Sequence, residues 1–392
     1  IETIFLTHMK TIRIGVLGAE RRGRIAQLAH NPEDGVFLTA ACNLDLEKVA
    51  YMKEEFGPDF FLTTDYREVV NSPNVDAVFV CTPDFLHEEH ALAAINAGKH
   101  VYLEKPMAIT IEGCDRLIAA ARRKGVVLYV GHNMRFMDVM RKMKELIDSG
   151  AIGEVQAVWC RHFISYGGDA YFKDWHSERK YTHGLLLQKG AHDIDIIHWL
   201  AGAHTARVCG MGRLSVYDKL PRRKPGDPQP SVEFNRDNYP PEATGNYSPV
   251  IDVEDHSMVL MQLANGVQAC YVQCHYTPDD QRNYTIIGTK GRIENFGDHS
   301  TRDKWATVHL FNRRMGYGEM GNEVFRIPHR EGSHGGADPL IVQDFINAIR
   351  GGTPQGATLE DARAAVATGY LATESLRNGN CPFDIPPINK NL

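Results

Sequence analysis

From Lys10 to Val130, short apolar runs (TIRIGVLG, FLTAACN, VDAVFVC, KHVYLEKP and GVVLYVGH) alternate with amphipathic stretches such as FLHEEHALAAINAG. Strands separated by helix-length connections cannot form hairpins with one another, so this rhythm predicts a parallel, doubly wound α/β sheet with helices on both faces. Ligands in such sheets lie beyond the carboxyl ends of the strands, where the strand order reverses. Residues 81–85, 103–106 and 130–133 therefore face the expected site.

With 392 residues the chain exceeds the size at which a single core stops growing, so two domains are expected. We place the first at residues 9–130 and the second at 131–392, with residues 1–8 as an extension that has no export-signal pattern. Beyond about residue 150 the pattern changes. VQAVWCRHFIS, HSMVLMQLANGVQACYVQCHY and YTIIGTKGRIENFG read as longer strands joined by tight turns, with Asn265-Gly266 as a hairpin signal. A large, mostly antiparallel open sheet follows, with helices expected at QKGAHDIDIIHWLAG, DPLIVQDFINAIRGG and TLEDARAAVATGYLATESLRNG. Residues 220–250 hold seven of the nineteen prolines and form a long insertion. Its Phe234, Tyr239 and Tyr247 favour a loop packed over a neighbouring subunit or over the mouth of a site.

Composition excludes several function classes. Forty-three basic residues against 49 acidic ones give a net charge of −6, without the basic face that nucleic-acid binding requires. No apolar run approaches the roughly 20 residues that span a bilayer. Eight cysteines stand singly, without a CxxC pair, and read as reduced thiols of a cytoplasmic protein. Cys270 and Cys274 share one face of a strand and read as packed thiols, so no metal site is expected.

GVLGAERRG occupies the place of a dinucleotide-binding turn between the first strand and the first helix. Gly18 suits the tight turn and Gly23 the close packing of helix on strand, but Glu20 stands where backbone should approach a pyrophosphate. Arg21 and Arg22 are expected to offset its charge, and the helix N-terminus to supply free N–H groups. The second strand ends at Asn43, which can hydrogen-bond a ribose hydroxyl, with Asp45 two residues on. No arginine stands beside it to hold a 2′-phosphate, which favours NAD over NADP. KHVYLEKPMAI puts Glu104, Lys105 and Pro106 at the end of a buried strand, where a lysine belongs only if it faces a ligand cleft.

The glycine turn, NVDAVFVCTPDFLHEEHALAAINAGKHVYLEKPMAIT, YVGHNMRF, GAHDIDIIHWL and IIGTKGRIE together resemble the Gfo/Idh/MocA oxidoreductases, NAD(P)-dependent enzymes of sugars and polyols. The resemblance runs nearly the whole length from Met9 and implies a Rossmann domain followed by an α/β substrate domain. It implies that Lys105 lies near the nicotinamide and hydrogen-bonds the hydroxyl that is oxidised. Thr82 and Pro83 would form the turn under the nicotinamide ribose, with His87 and Glu104 beside the cofactor. His192 of the GxHxxD block would accept the hydroxyl proton, a role that fits an unperturbed histidine pKa of about 6.5. Where dehydrogenases of the family usually carry an aspartate, four residues before that histidine, this chain has Gln188, followed by Lys189. Lys189 is expected to join Lys105 in polarising the reacting oxygen. Arg135 matches a position that touches substrate or cofactor. Trp175 and His176, in DWHSERKYTHG, are further substrate candidates, and Asp338 in SHGGADP is expected to cap a helix.

The expected function is oxidation of a hydroxyl of a sugar, sugar derivative or cyclic polyol by hydride transfer to NAD, in a homodimer or homotetramer assembled through open sheet faces. Two alternatives remain at this level. One is an NAD-retaining glycosidase or lyase that oxidises a glycoside transiently, and the other is a non-catalytic sensor of cofactor or sugar.

Overall fold

A computed structural model describes residues 11–230, 234–316, 318 and 320–388. The expected extension at residues 1–8 lies outside the described residues. Six strands, β1 (Ile12–Leu17), β2 (Val36–Cys42), β3 (Phe61–Thr63), β4 (Ala77–Val80), β5 (His100–Leu103) and β6 (Leu128–Val130), form one parallel sheet. Their order is β3-β2-β1-β4-β5-β6, so the direction of winding reverses between β1 and β4. That reversal opens a crevice at the carboxyl ends of β1 and β4, which is the dinucleotide-binding arrangement. β4 is buried along its whole length because helices cover both faces of the sheet.

One local expectation fails. No α-helix follows β1, because residues Arg21–Ala29 wind as a 3₁₀ helix that starts from Arg21 at φ +45°. The Gly23 amide donates to the Glu20 carbonyl at 2.8 Å and is therefore taken up within the turn.

Nine strands form the second sheet: β7 (Val155–Phe163), β8 (Thr205–Arg213), β9 (His256–Leu263), β10 (Gln268–Cys274), β11 (Gln281–Gly288), β12 (Gly291–Phe296), β13 (Thr307–Phe311), β14 (Glu323–Arg326) and β15 (Phe383–Asp384). Their order is β14-β13-β12-β11-β7-β10-β9-β8-β15, antiparallel except where β10 lies parallel to β7. The β9–β10 hairpin turns at Asn265-Gly266, with Gly266 at φ +90°. Helix Gly190–Ala201 packs on the inner face of this sheet and stops at Gly202, φ +73°. Helix Leu359–Arg377 opens with the reciprocal capping box of Thr358 and Asp361.

The second sheet and the first share one apolar core. Helix Ser333–Ile349 returns to the parallel sheet, where Phe345 meets Phe79 and Tyr102 with ring centroids 5.4 and 5.7 Å apart. Among the described residues no helix is long and apolar enough to cross a membrane.

The proline-rich insertion is anchored to the body of the protein. Tyr247 is fully buried and meets Tyr217 edge to face with ring centroids 5.3 Å apart, and Asn238 donates to Asp169 at 2.8 Å. Lys173 donates to the same Asp169 oxygen at 2.7 Å. Phe234, Asn235, Asn238 and Tyr239 of the segment line a large cavity beside the cleft.

Candidate active site

The cleft begins at the turn after β1. A Cβ on Gly18, which sits at φ +77°, would lie 2.8 Å from the Cys81 carbonyl oxygen, and one on Gly23 would lie 1.8 Å from the Gly18 carbonyl oxygen. Only glycine allows chain to pass this close to chain, so both positions serve the turn as expected.

The Glu20 side chain points along the turn toward the end of β2. Its carboxylate accepts from Asn43 Nδ2 at 2.8 Å and lies 3.5 Å from Lys48 Nζ. The expected balancing by Arg21 and Arg22 is therefore corrected. Arg22 donates to Glu104 at 2.7 Å and to both oxygens of Asp338 at 2.5 and 3.1 Å, whereas Arg21 lies 4.0 Å from Asp174. Asp338 is likewise no simple helix cap, since its carboxylate accepts from Arg22, Asn133 and the Ser333 hydroxyl.

β4 delivers Thr82 and Pro83, and the following helix holds them. The His87 ring nitrogens lie 2.7 Å from the Pro106 carbonyl and 2.8 Å from the Thr82 carbonyl. Because both nitrogens face backbone, His87 acts on the cleft by tying the Thr82 turn to the Lys105–Pro106 segment.

From the end of β5, Lys105 Nζ donates to the Gln188 carbonyl at 3.1 Å across the boundary between the two sheets. This single contact brings the Glu-Lys-Pro segment to the start of helix Gly190–Ala201. One cavity of about 490 Å³ is lined there by Gly18, Thr82, Lys105, Gln188, Lys189 and His192. Glu20, Asn43, Pro83, Glu104, Trp175 and His176 line the same cavity. Trp175 stacks on His176 at 3.7 Å, and His176 Nδ1 is 2.6 Å from Asp174.

Arg135 does not reach this cavity. It donates to both oxygens of buried Asp195 at 2.9 and 2.6 Å and pairs with Asp361 at 3.2 Å. The expectation that it touches substrate or cofactor is corrected: both carboxylates absorb its guanidinium, and the final aspartate of GxHxxD is its structural partner.

Electrostatics distinguish the groups that remain. Burial, together with Lys105 and Lys189 nearby, holds His192 well below the ordinary histidine range, so its ring is neutral. Burial lowers Lys105 to about 8, opposed by Asp84 and reinforced by Lys189. Burial and Arg282 bring Lys189 down to about 7. Behind Lys189, Asp193 is buried among His162, Tyr271, Tyr284 and Arg282, which hold its carboxyl well below the usual range although burial opposes them.

Among the described residues, four buried polar atoms at this cavity have no hydrogen-bond partner: Asp84 Oδ2, Asn133 Oδ1, Gln188 Oε1 and His192 Nδ1. Buried polar atoms are ordinarily paired, so four at one cavity mark a place made for a polar molecule. Together with the two glycines of the turn, they fit a dinucleotide whose reactive end meets a hydroxylated substrate. Asp84 and Asn133 lie within the strand ends expected to face the site, although neither was assigned a role, and Asp174 was not singled out. His334, within SHGGADP, also lines the cavity.

Comparison with known proteins supplies a family. Residues 12–132 match the family described as "Oxidoreductase family, NAD-binding Rossmann fold", and residues 144–385 match "Oxidoreductase family, C-terminal alpha/beta domain". Myo-inositol 2-dehydrogenase of Thermotoga maritima is 28% identical over 367 residues, which covers 93% of this chain and 96% of that protein. A 1-carboxy-3-chloro-3,4-dihydroxycyclohexa-1,5-diene dehydrogenase of Comamonas testosteroni is 35% identical over 200 residues, half of this chain and 49% of that protein. The apo form of levoglucosan dehydrogenase has the same fold, with a TM-score of 0.79 at 21% identity over 97% of this chain and all of that one.

Proposed function

Because the chain belongs to the Gfo/Idh/MocA oxidoreductase family, we propose that it is an NAD-dependent dehydrogenase that oxidises a secondary hydroxyl of a sugar, sugar derivative or cyclic polyol. The observation that carries this reading is the convergence of Lys105, Lys189 and neutral His192 on one cavity that also receives the Gly18 turn.

NAD, when bound, supplies the acceptor for the hydride that leaves the carbinol carbon. His192 takes the hydroxyl proton, for which its unprotonated ring is ready at neutral pH. The Lys105 ammonium donates to the same oxygen and stabilises the negative charge that develops as the proton leaves. Lys189 adds a second cation, and the free Gln188 Oε1 accepts from a neighbouring hydroxyl of the substrate. Trp175 and His176 offer a ring face and a polar edge to the same substrate. Gln188 cannot share a proton as an aspartate would, so Lys189 replaces that acid as the titrating group beside His192.

For the cofactor, Glu20 serves as the acid that β2 lacks. Its carboxylate, held on Asn43 at the end of β2, accepts from ribose hydroxyls and repels a 2′-phosphate, which favours NAD. Titration of the protein's fluorescence with NADH and NADPH tests this part. NADH is expected to bind the more tightly, and equal or stronger binding of NADPH contradicts the reading.

A further inference from the structure

A second, larger cavity of about 1580 Å³ opens from the first and shares Arg21, Tyr171, Asp174, His176, Gln188 and His334 with it. Small-ligand sites usually occupy roughly 300–1,000 Å³, so this outer space exceeds what one small polyol requires. The anchored insertion builds much of its wall.

The chemistry of the wall is specific. Phe234 is 68% exposed and Tyr239 42% exposed, and both line the outer cavity. Phe234 meets Tyr166 edge to face with ring centroids 5.3 Å apart, and the Tyr166 hydroxyl accepts from Lys189 Nζ at 3.3 Å. An aromatic path therefore runs from the reacting end of the inner cavity outward. Asn235, Asn238 and Asp280 stand among the rings as hydrogen-bonding groups. Four arginines and five aspartates line the space, so neither sign of charge dominates. A pyranose ring has an apolar face and a rim of hydroxyls, which is the complement of such a wall.

We propose that the substrate is a neutral glycoside at least two rings long, with one ring held at Lys105 and His192 and the next against Phe234 and Tyr239. This rests on the reading of the inner cavity as the hydride-transfer site. The outer subsite adds binding and length selection, and it leaves the chemical step to the inner groups.

The test is calorimetric titration of the whole protein, with NADH present, using glucose and galactose against cellobiose, maltose and lactose. At least one disaccharide should bind about ten-fold tighter than its monosaccharide, and Phe234→Ala should remove about five- to ten-fold of that gain, the scale of one aromatic contact. Tyr239→Ala, a second exposed position, should act in the same direction, and neither variant should change monosaccharide binding more than about two-fold. Equal binding of mono- and disaccharides, failure of every disaccharide to bind, or equal losses for both classes in the variants overturns the proposal. NADH binding is followed by fluorescence in the same samples. Its absence contradicts the hydride-transfer reading alone, and disaccharide selectivity that Phe234→Ala removes would still support the subsite.

Discussion

Glu20 shows how one side chain changes the meaning of a motif. On a phosphate turn a carboxylate opposes the phosphates, yet here Asn43 and Lys48 draw it to the end of β2. Glu20→Gln keeps a hydrogen-bonding side chain and removes the charge. It should weaken NADH about ten-fold, the scale of a hydrogen bond to a charged group, and narrow the gap to NADPH. Fluorescence titration of both cofactors checks this, and unchanged affinities refute it. Lys189 and Lys105 set the pH dependence. The Lys189 ammonium is lost as pH rises through about 7 and that of Lys105 as it rises through about 8, so kcat/KM for oxidation should fall in two steps on the alkaline side. His192 supplies no acid limb in the neutral range, because its ring is already unprotonated there. Lys105→Arg should move the upper step to higher pH, and a step that stays in place would assign it to another group. Lys105 and His192 were legible in the sequence because local motifs carry them. The destination of Glu20 was not, because it depends on how the end of β2 meets the turn.

Arg135 belongs to the scale of elements. It ties the segment after β6 to helix Gly190–Ala201 through Asp195 and to helix Leu359–Arg377 through Asp361. Arg135→Met leaves a buried carboxylate without its cation, a loss of about 3–5 kcal/mol. Thermal unfolding should show a large drop in Tm, while NADH affinity of the folded protein stays within about two-fold. A selective loss of NADH or sugar binding at unchanged Tm would restore the role expected from the sequence. Five of the six parallel strands were legible because each apolar run is short and bounded by helical spacing, whereas β3, only three residues long, was not among those runs. The hairpin at Asn265-Gly266 was legible because that pair tolerates the left-handed backbone. Two features were hidden: the 3₁₀ path of Arg21–Ala29, which follows from backbone geometry at Arg21, and the return of helix Ser333–Ile349 to the first sheet. That return joins residues far apart in the chain, and periodicity carries no information about it.

At the scale of the molecule, the cleft lies where the first sheet meets the second, walled on one side by the insertion and backed by the nine-stranded sheet. The other face of that sheet presents Trp159, Met211, Met258 and Leu260, with Leu260 65% exposed, on strands β7, β8 and β9. We propose that this face pairs with a second copy of the chain, since a contiguous apolar patch on a sheet is costly to leave in water. Leu260→Asp should shift the mass measured by light scattering toward the monomer, and an unchanged mass would move the contact elsewhere. The claim on which the rest depends is that Lys105 and His192 serve hydride transfer to a nicotinamide. The most direct measurement follows reduced nicotinamide by absorbance across sugars, inositols, anhydrosugars and disaccharides, for the natural protein and for Lys105→Ala. Net reduction of NAD by the natural protein is expected on at least one substrate, with a fall of about 10²–10⁴-fold in Lys105→Ala and NADH binding retained. Product released without net reduction of NAD would point to the transient-oxidation alternative, and full activity in Lys105→Ala would contradict the assignment.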